Sequence, residues 1–404
     1  MPGPDVGCAA ICSARAAPSV SDEMWGSGPP RSLPAVGSPS RRRGSRWPRR
    51  IDDVVLSLDD TSLHRAADPS GMLEVALSLH RQVREGWRLG SAAPLPSLPA
   101  SPAHLVIAGM GGSAIGGDLL AAVLEPRLPL PLVVVRDSRL PSYVGPRSVV
   151  IAVSYSGETE ETIAAAEQAV RAGAALLAIT SGGRLAEISG RVARVPAGLP
   201  PRAALGYLMI PALAALERWG LTGPCAGDVE EAATVLQEVA SEIGPAVPTS
   251  RNAAKRLAGH MSGRIPAVYA GSPEVEAAAR RWKCQFNENS KAFATWNTFP
   301  ELTHNETVGW ASPAEVLGMV AAVVLLGGDE SERAIRRIRV TCDQAFRKAA
   351  GVHEIRGRGG SRLSRLLSLV LMGDATSIYL AYLRGVDPTP VEAITAVKRR
   401  MRES

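Results

Sequence analysis

The sequence has few aromatic residues, few cysteines and no long uninterrupted apolar run. Aromatic residues make up 4% of the 404 residues, and the five cysteines are scattered without a CxxC pair. This excludes a disulfide framework and a cysteine zinc site. No stretch reaches the ~18 consecutive apolar residues of a membrane span, and MPGPDVGCAAICSARAAPSV lacks the apolar core of a secretory signal. The chain is predicted to be cytoplasmic, with no membrane partner.

The positive charge is concentrated near the N-terminus. The formal net charge is +6, and the stretch RRRGSRWPRR over 41–50 contains six arginines. The surrounding segment is rich in Pro, Gly and Ser and has no apolar periodicity, which is typical of disorder. Residues 1–50 are therefore predicted to form a disordered basic extension. They do not resemble a DNA-binding helical module, and no nucleic-acid partner is expected.

From residue 51 onward, apolar runs rich in Val and Ile alternate with Ala/Leu-rich helical stretches. This alternation predicts the α/β class, with parallel sheets covered on both faces. The 46% of hydrophobic residues suffices for two cores. We predict two doubly wound domains in tandem, 51–245 and 246–404, joined at GPAVPTS. The predicted strands are 105–108, 131–135, 148–153, 175–180, 193–197, 265–271, 320–326 and 352–357.

The first strand runs into the glycine loop GMGGSAIGG (109–117). Gly109, Gly111 and Ala114 satisfy the dinucleotide pattern G-x-G-x-x-A, and Asp137 after the second strand is available as its acidic residue. A nicotinamide-dependent oxidoreductase is therefore one interpretation. It gives no reason for the hydroxyl groups that follow the third strand.

The third strand runs into SYSGETEET (154–162), which places four hydroxyl side chains around Gly157 before a helix. Any one of them is an ordinary cap or turn former. Together, beside a second Ser/Gly loop at a helix N-terminus, they favour a cradle for a single phosphate. No G-x-x-x-x-G-K-[ST] motif occurs. The predicted phosphate-binding residues are Gly111, Gly112, Ser113, Ser154, Ser156 and Thr159.

Five segments together resemble the bifunctional phosphoglucose/phosphomannose isomerase family. They are GMGGSAIGGDLL, SYSGETEET, LPPRAALGYL, QFNENSKAFATWNTFPELTHNE and RGVDPTPVEAITAVK. The resemblance runs from about Asp52 to the C-terminus. It implies two flavodoxin-like sugar-isomerase (SIS) domains and reversible isomerisation of glucose 6-phosphate and mannose 6-phosphate with fructose 6-phosphate. It also implies a homodimer with the active site at the subunit interface, without metal or cofactor.

This reaction needs a ring opener, a carboxylate base and a cation that stabilises a cis-enediolate. Glu288 in NENSK is the predicted base, favoured by the polar cluster of Asn287, Asn289, Ser290 and Lys291 around it, with Glu301 as second choice. His304 is the predicted ring opener, because its unperturbed pKa near ~6.5 suits proton exchange at neutral pH; the resemblance implies that it acts across the dimer interface. Arg202, fixed by two preceding prolines, matches the family's enediolate-stabilising arginine, and Lys398 matches its late substrate-contacting lysine.

A non-catalytic sugar-phosphate sensor is the main alternative, because SIS domains also serve in regulators. The four catalytic candidates occurring together favour the enzyme. The second half lacks its own Ser/Gly phosphate loop, since AGSPEVEA at 270–277 offers only Gly271 and Ser272. One phosphate site per chain is therefore expected.

Overall fold

The computed structural model describes residues 58–311 and 313–403. The predicted extension 1–50 lies outside the described residues. Between Thr61 and the first sheet the described chain forms three helices: α1 (Thr61–Ala67), α2 (Met72–Leu77) and α3 (Leu79–Ala92).

The first sheet is parallel throughout, with strand order β2-β1-β3-β4-β5. Its central strand β3 has the sequence SVVIAV and is buried along its whole length, as expected for a parallel strand covered on both faces. The strands are β1 (His104–Gly109), β2 (Leu132–Val135), β3 (Ser148–Val153), β4 (Ala175–Thr180) and β5 (Val192–Arg194).

Helices connect these strands and continue beyond the sheet. α4 and α5 begin directly at the two loops that the sequence singled out, so the N–H groups of their first turns face the carboxyl edge of the sheet. The helices are α4 (Gly112–Leu124), α5 (Glu160–Arg171), α6 (Gly183–Ser189), α7 (Leu205–Arg218), α8 (Ala226–Ile243) and α9 (Ala253–Met261).

The second sheet is also parallel, with strand order β7-β6-β8-β9. The predicted strands in this half are found, and a short edge strand, β7, is added to them. The strands are β6 (Ile265–Ala270), β7 (Thr295–Thr298), β8 (Val320–Leu326) and β9 (Gly351–Arg356).

The helices of this half include the longest one described. They are α10 (Glu276–Glu288), α11 (Glu306–Gly309), α12 (Ala314–Leu317), α13 (Glu332–Gln344), α14 (Arg362–Arg384) and α15 (Glu392–Glu403). Ser361 caps α14 by accepting the N–H of Ser364, and the left-handed Gly385 ends it. By length and composition α14 is the one described helix that could cross a membrane, but 94% of its apolar window is buried inside the protein.

The expectation of two separate cores differs from the structure. The largest buried apolar cluster contains side chains from both sheets, such as Ile107 and Val323, and from α14, such as Val370. Two smaller clusters are distinct from it. The sharing arises because α14 packs against α8, α9 and α10, and so connects elements of both halves. The boundary at 245/246 stays a prediction.

Candidate active site

The glycine loop after β1 packs against the end of β3 and against Arg202. Gly109 and Val153 are register partners, and a Cβ at Gly109 would lie 2.9 Å from the Val153 carbonyl oxygen. Gly111 has φ +51°. A Cβ at Gly112, the first residue of α4, would lie 3.2 Å from the Cα of Arg202. The first turn of α4 therefore presents its free N–H groups close to an arginine, which suits an anion.

The loop after β3 is organised by its own hydroxyl groups. The Ser154 and Thr159 hydroxyls are 2.9 Å apart, and Ser154 Oγ accepts the N–H of Gly157 at 3.2 Å. Ser156 Oγ accepts the N–H of Glu158 at 3.2 Å. β1 and β3 are direct neighbours in the sheet, so the two predicted halves of the phosphate cradle lie side by side.

Arg202 lies in a 3₁₀ turn, Pro201–Ala203, that directly precedes α7. Its side chain is 7% exposed, so it is held in place as its two preceding prolines predict. The guanidinium donates from Nε to Asn289 Oδ1 at 2.8 Å, and from Nη2 to the carbonyl oxygens of Pro388 and Thr389, both at 2.7 Å. Burial lowers the pKa of Arg202, and the nearby Glu288 carboxylate opposes that shift.

Glu288 is the last residue of α10, and its carboxylate points towards Arg202. Its Oε2 lies 3.8 Å from Arg202 Nη1, and its side chain is 31% exposed. The structure therefore brings together two residues that are far apart in the sequence. A base of this kind must be in reach of both the substrate and the cation, and partial exposure beside a buried arginine meets that requirement.

A cavity of about 780 Å³ opens beside Glu288. Lys291 lines it and donates from Nζ to the carbonyl oxygens of Glu288 and Asp387 at 2.9 and 2.7 Å. Burial, and then the charge of Arg202, lower the pKa of Lys291. In the sequence, Lys291 stood out only as a member of a polar cluster. Because its contacts go to backbone carbonyls, no pattern of side-chain types revealed them.

A second buried arginine, Arg281, is hydrogen-bonded to the backbone of Arg202. Arg281 forms a two-pronged salt bridge with Asp374, with distances of 3.0 and 2.6 Å, and also donates to the backbone carbonyl of Arg202 at 2.7 Å. Gln285 donates to the same Asp374 carboxylate at 2.9 Å. This network joins α10 and α14 to the turn that carries Arg202, and it was not predicted from the sequence.

His304 ends a 3₁₀ turn, Glu301–His304, that follows β7, and it is exposed. Within the described part of the chain, no hydrogen bond or ion pair joins it to Arg202 or Glu288. The structure of one chain therefore does not bring His304 to the other candidates.

The two carboxylates that flank His304 are occupied elsewhere. Glu306 accepts hydrogen bonds from the Tyr269 hydroxyl and from Asn297 Nδ2, both at 2.5 Å. Glu301, the second choice for the base, accepts from Asn305 at 3.2 Å. Among the described residues, neither carboxylate forms a hydrogen bond with His304.

Lys398 lies in the middle of α15, which is exposed from Glu392 to Met401. No hydrogen bond or ion pair of its side chain occurs among the described residues. It is not brought to Arg202 or Glu288 in this chain. The helix nevertheless begins at the wall of the cavity beside Glu288, which Glu392 and Ile394 line.

Asp137, the acid required by the dinucleotide interpretation, is used locally. Its carboxylate accepts the N–H of Arg139 and the hydroxyl of Ser138, both at 3.2 Å. These hydrogen bonds, the one from the Arg139 backbone first, lower the pKa of Asp137. The residue forms its own turn, and this weakens the dinucleotide interpretation.

Two family models match separate parts of the chain. Residues 100–189 match the SIS domain family, and residues 250–401 match the bacterial phospho-glucose isomerase C-terminal SIS domain. A bifunctional phosphoglucose/phosphomannose isomerase from Caldicellulosiruptor bescii is 40% identical over 336 residues, which are 82% of this chain and 99% of that protein. The chain belongs to the bifunctional phosphoglucose/phosphomannose isomerase family.

Another family member, from Thermoplasma acidophilum, is 38% identical over 301 residues, which are 74% of this chain and 89% of that protein. Among solved structures, a glucose-6-phosphate isomerase like protein from Thermus thermophilus has a TM-score of 0.57 at 22% identity, over 82% of this chain and 96% of that one. At that identity the likeness shows the fold alone, which is that of two SIS domains.

Proposed function

We propose that this protein interconverts fructose 6-phosphate with glucose 6-phosphate and with mannose 6-phosphate. The observation that carries the proposal is the pairing of Glu288 with Arg202 at 3.8 Å, beside the glycine loop that Arg202 contacts at Gly112. A base, a buried cation and a phosphate cradle then lie at one edge of the first sheet. The names of the family members that match most of the chain support the same reaction.

The proposed chemistry moves one proton between two carbons. The Glu288 carboxylate removes the proton from C2 of the open-chain aldose phosphate, and the electron pair forms the C1–C2 double bond of a cis-enediolate. The same carboxyl group returns the proton to C1 while the proton of the C2 hydroxyl passes to O1, which leaves a hydroxyl group at C1 and a carbonyl at C2. C1 is reduced as C2 is oxidised, so the step balances without an external oxidant. The Arg202 cation stabilises the negative oxygen atoms of the intermediate.

The substrate phosphate is proposed to bind the two loops at the ends of β1 and β3. The hydroxyls of Ser113, Ser154, Ser156 and Thr159 would donate to it, together with the N–H groups at the start of α4. Ser113 and Ser154 are buried, so they need no large reorganisation to meet an anion.

His304 is proposed to open the sugar ring in the active site of a partner subunit, and Lys398 to contact the substrate there or in its own site. Exposed apolar side chains in the second half of the chain support a homodimer. Phe293 and Val308 are 73% and 76% exposed, and Val397 and Met401 on α15 are 64% and 72% exposed. The cavity beside Glu288 leaves room for a partner's side chains. The cytoplasmic location predicted from the sequence remains part of the proposal.

A coupled assay tests the function. Fructose 6-phosphate is supplied, and a dehydrogenase reports the glucose 6-phosphate that forms. We expect turnover by the wild type and loss of it in Glu288→Gln, while the matched change Glu301→Gln keeps most activity. Unchanged turnover in Glu288→Gln would contradict the mechanism. A wild type that binds fructose 6-phosphate without turnover would instead favour the sensor.

A further inference from the structure

The buried guanidinium of Arg202 is held by neutral acceptors. These are the amide oxygen of Asn289 on Nε, and the carbonyl oxygens of Pro388 and Thr389 on Nη2. Among the described residues, Glu288 is the one carboxylate within salt-bridge distance of this cation, at 3.8 Å. Asp374 lies nearby but is engaged by Arg281 at 2.6 Å. The hydrogen bonds that fix the side chain of Arg202 therefore all go to neutral acceptors, and its nearest carboxylate stays at 3.8 Å.

Asn289 is itself fixed in one orientation. It follows the last residue of α10 and is 1% exposed. Its Nδ2 donates to Ser377 Oγ at 2.9 Å, and Ser377 Oγ donates in turn to the carbonyl of Asp374 at 2.7 Å. A flipped amide would present its NH₂ group to the guanidinium, where both groups are donors. The network therefore keeps the acceptor oxygen of Asn289 towards Arg202.

A neutral acceptor at this position matters because the Arg202 cation has to stabilise the negative charge of the enediolate. An arginine already paired at close range with a carboxylate has little charge left for a developing anion. In a buried site, where screening by water is weak, a neighbouring carboxylate weakens the attraction between the arginine and the developing anion more than it would at a surface. With Nε and Nη2 occupied, Nη1 is the part of the guanidinium that faces Glu288.

We propose that Asn289 is a positioning residue that holds Arg202 through a neutral acceptor, so that the cation keeps its charge for the enediolate. The proposal rests on the isomerase function proposed above. The proposed role of Asn289 is electrostatic and not only structural. An aspartate has the same shape and could accept the same hydrogen bond, but its negative charge would pair with Arg202.

Asn289→Asp tests this directly, since it keeps the shape and the acceptor oxygen and adds a charge beside Arg202. We expect kcat for fructose 6-phosphate isomerisation to fall by about 10- to 100-fold, the lower range for loss of one preorganised electrostatic contact. KM is expected to stay within about threefold of the wild type, because the phosphate loops are untouched. Asn289→Ala is expected to lower kcat as well, because Arg202 loses its Nε partner.

Thr376→Val is the matched control. Thr376 is fully buried on the same helix as Ser377, and its hydroxyl donates only within the helix, to the Met372 carbonyl. We expect this variant to keep kcat within about twofold of the wild type. Circular dichroism and thermal unfolding report whether each variant folds.

The outcomes separate the two proposals. An active wild type with Asn289→Asp at wild-type kcat overturns the role of Asn289 and leaves the isomerase intact. That role is overturned as well if Thr376→Val loses as much kcat as Asn289→Asp, or if KM rises as much as kcat falls. A wild type without isomerase activity overturns the proposed function, and the role of Asn289 with it.

Discussion

At Gly157 the backbone has φ +74°, and a Cβ would lie 1.9 Å from the carbonyl oxygen of Gly182. The turn that carries Ser154 and Ser156 therefore depends on a residue without a side chain. Gly190, which ends α6 at φ +61°, has a similar backbone but open space around it. The two glycines separate the effect of backbone strain from the effect of a steric clash.

We predict that Gly157→Ala lowers the free energy of unfolding by about 2–4 kcal/mol, because it adds a backbone clash to an unfavourable φ. Gly190→Ala is expected to cost about 1 kcal/mol, from the backbone alone. Urea denaturation of both variants measures the difference. Equal losses of unfolding free energy in the two variants would show that the chain relieves the clash between the new Cβ and the Gly182 carbonyl oxygen at no cost.

The pairing of Arg202 with Glu288 shows what sequence alone provides at the residue scale. A proline-fixed arginine and a glutamate in a polar cluster are recognisable as candidates, and resemblance assigned their roles. Their approach to 3.8 Å depends on the packing of α10 against the first half of the chain, which no local pattern encodes. Asn289 and Lys291 were recognisable as members of the polar cluster, but their contacts were not, because their partners are distant side chains and backbone carbonyls.

At the scale of elements, two histidines pack where α9 meets β9. The rings of His260 and His353 are 4.1 Å apart, and Nε2 of each is buried without a hydrogen-bond partner. Burial, then the charges of His353 and Arg264, lower the pKa of His260 to about 4. Burial also lowers the pKa of His353, with Arg264 as the second cause.

Acid is therefore predicted to weaken this contact. Between about pH 4 and 6.5 the unfolded chain binds more protons at His260 than the folded chain does, so its contribution to stability is complete above pH 6.5 and is lost as pH falls towards 4. From pH 7.5 to 5, His260 is expected to account for on the order of 1 kcal/mol of the loss in unfolding free energy, about half of what the full shift would give, because water screens this partly exposed ring.

Urea unfolding at the two pH values tests this in His260→Phe, which keeps a ring but cannot titrate. We expect this variant to lose less stability on acidification than the wild type. His304→Phe, the same change at an exposed turn, serves as the control. If both variants keep the wild-type pH dependence, the contact between α9 and β9 is not acid-sensitive.

Five of the eight strands that sequence predicted are buried along most of their length, and the strand it missed is not. Runs such as SVVIAV and VAAVVLL identify buried parallel strands by their Val and Ile content. β7 is TWNT, four residues at the edge of its sheet and only partly buried. Because an edge strand is covered less completely, its sequence need not be apolar, and its place follows from pairing with β6 instead.

At the scale of the whole molecule, one chain assembles only part of the proposed site. Arg202 and Glu288 meet within the chain, whereas His304 and Lys398 lie on exposed segments. The resemblance implies a homodimer, and exposed apolar residues such as Val308 and Val397 agree with one. Composition did not reveal that the two sheets share one core. The helix that joins the two halves, α14, is apolar in the way of any core helix, so its sequence does not show that it contacts both halves.

Mixing two inactive variants tests assembly across subunits. If His304 serves the partner's site, a dimer of one Glu288→Gln chain and one His304→Ala chain contains one intact site. Random mixing by co-expression is then predicted to restore about a quarter of wild-type activity, since half of the dimers are mixed and each has one of two sites. Light scattering gives the oligomeric state. No recovery in a preparation that contains mixed dimers would place His304 in its own chain's site.

One base, Glu288, is proposed to carry out both isomerisations. The most direct measurement follows, by NMR in a single tube, the glucose 6-phosphate and the mannose 6-phosphate that form from fructose 6-phosphate. The wild type is predicted to form both, and Glu288→Gln to lose both together by about 10²- to 10⁴-fold, the usual cost of removing a general base. Formation of neither product by the wild type, or survival of one of the two in Glu288→Gln, would contradict the account.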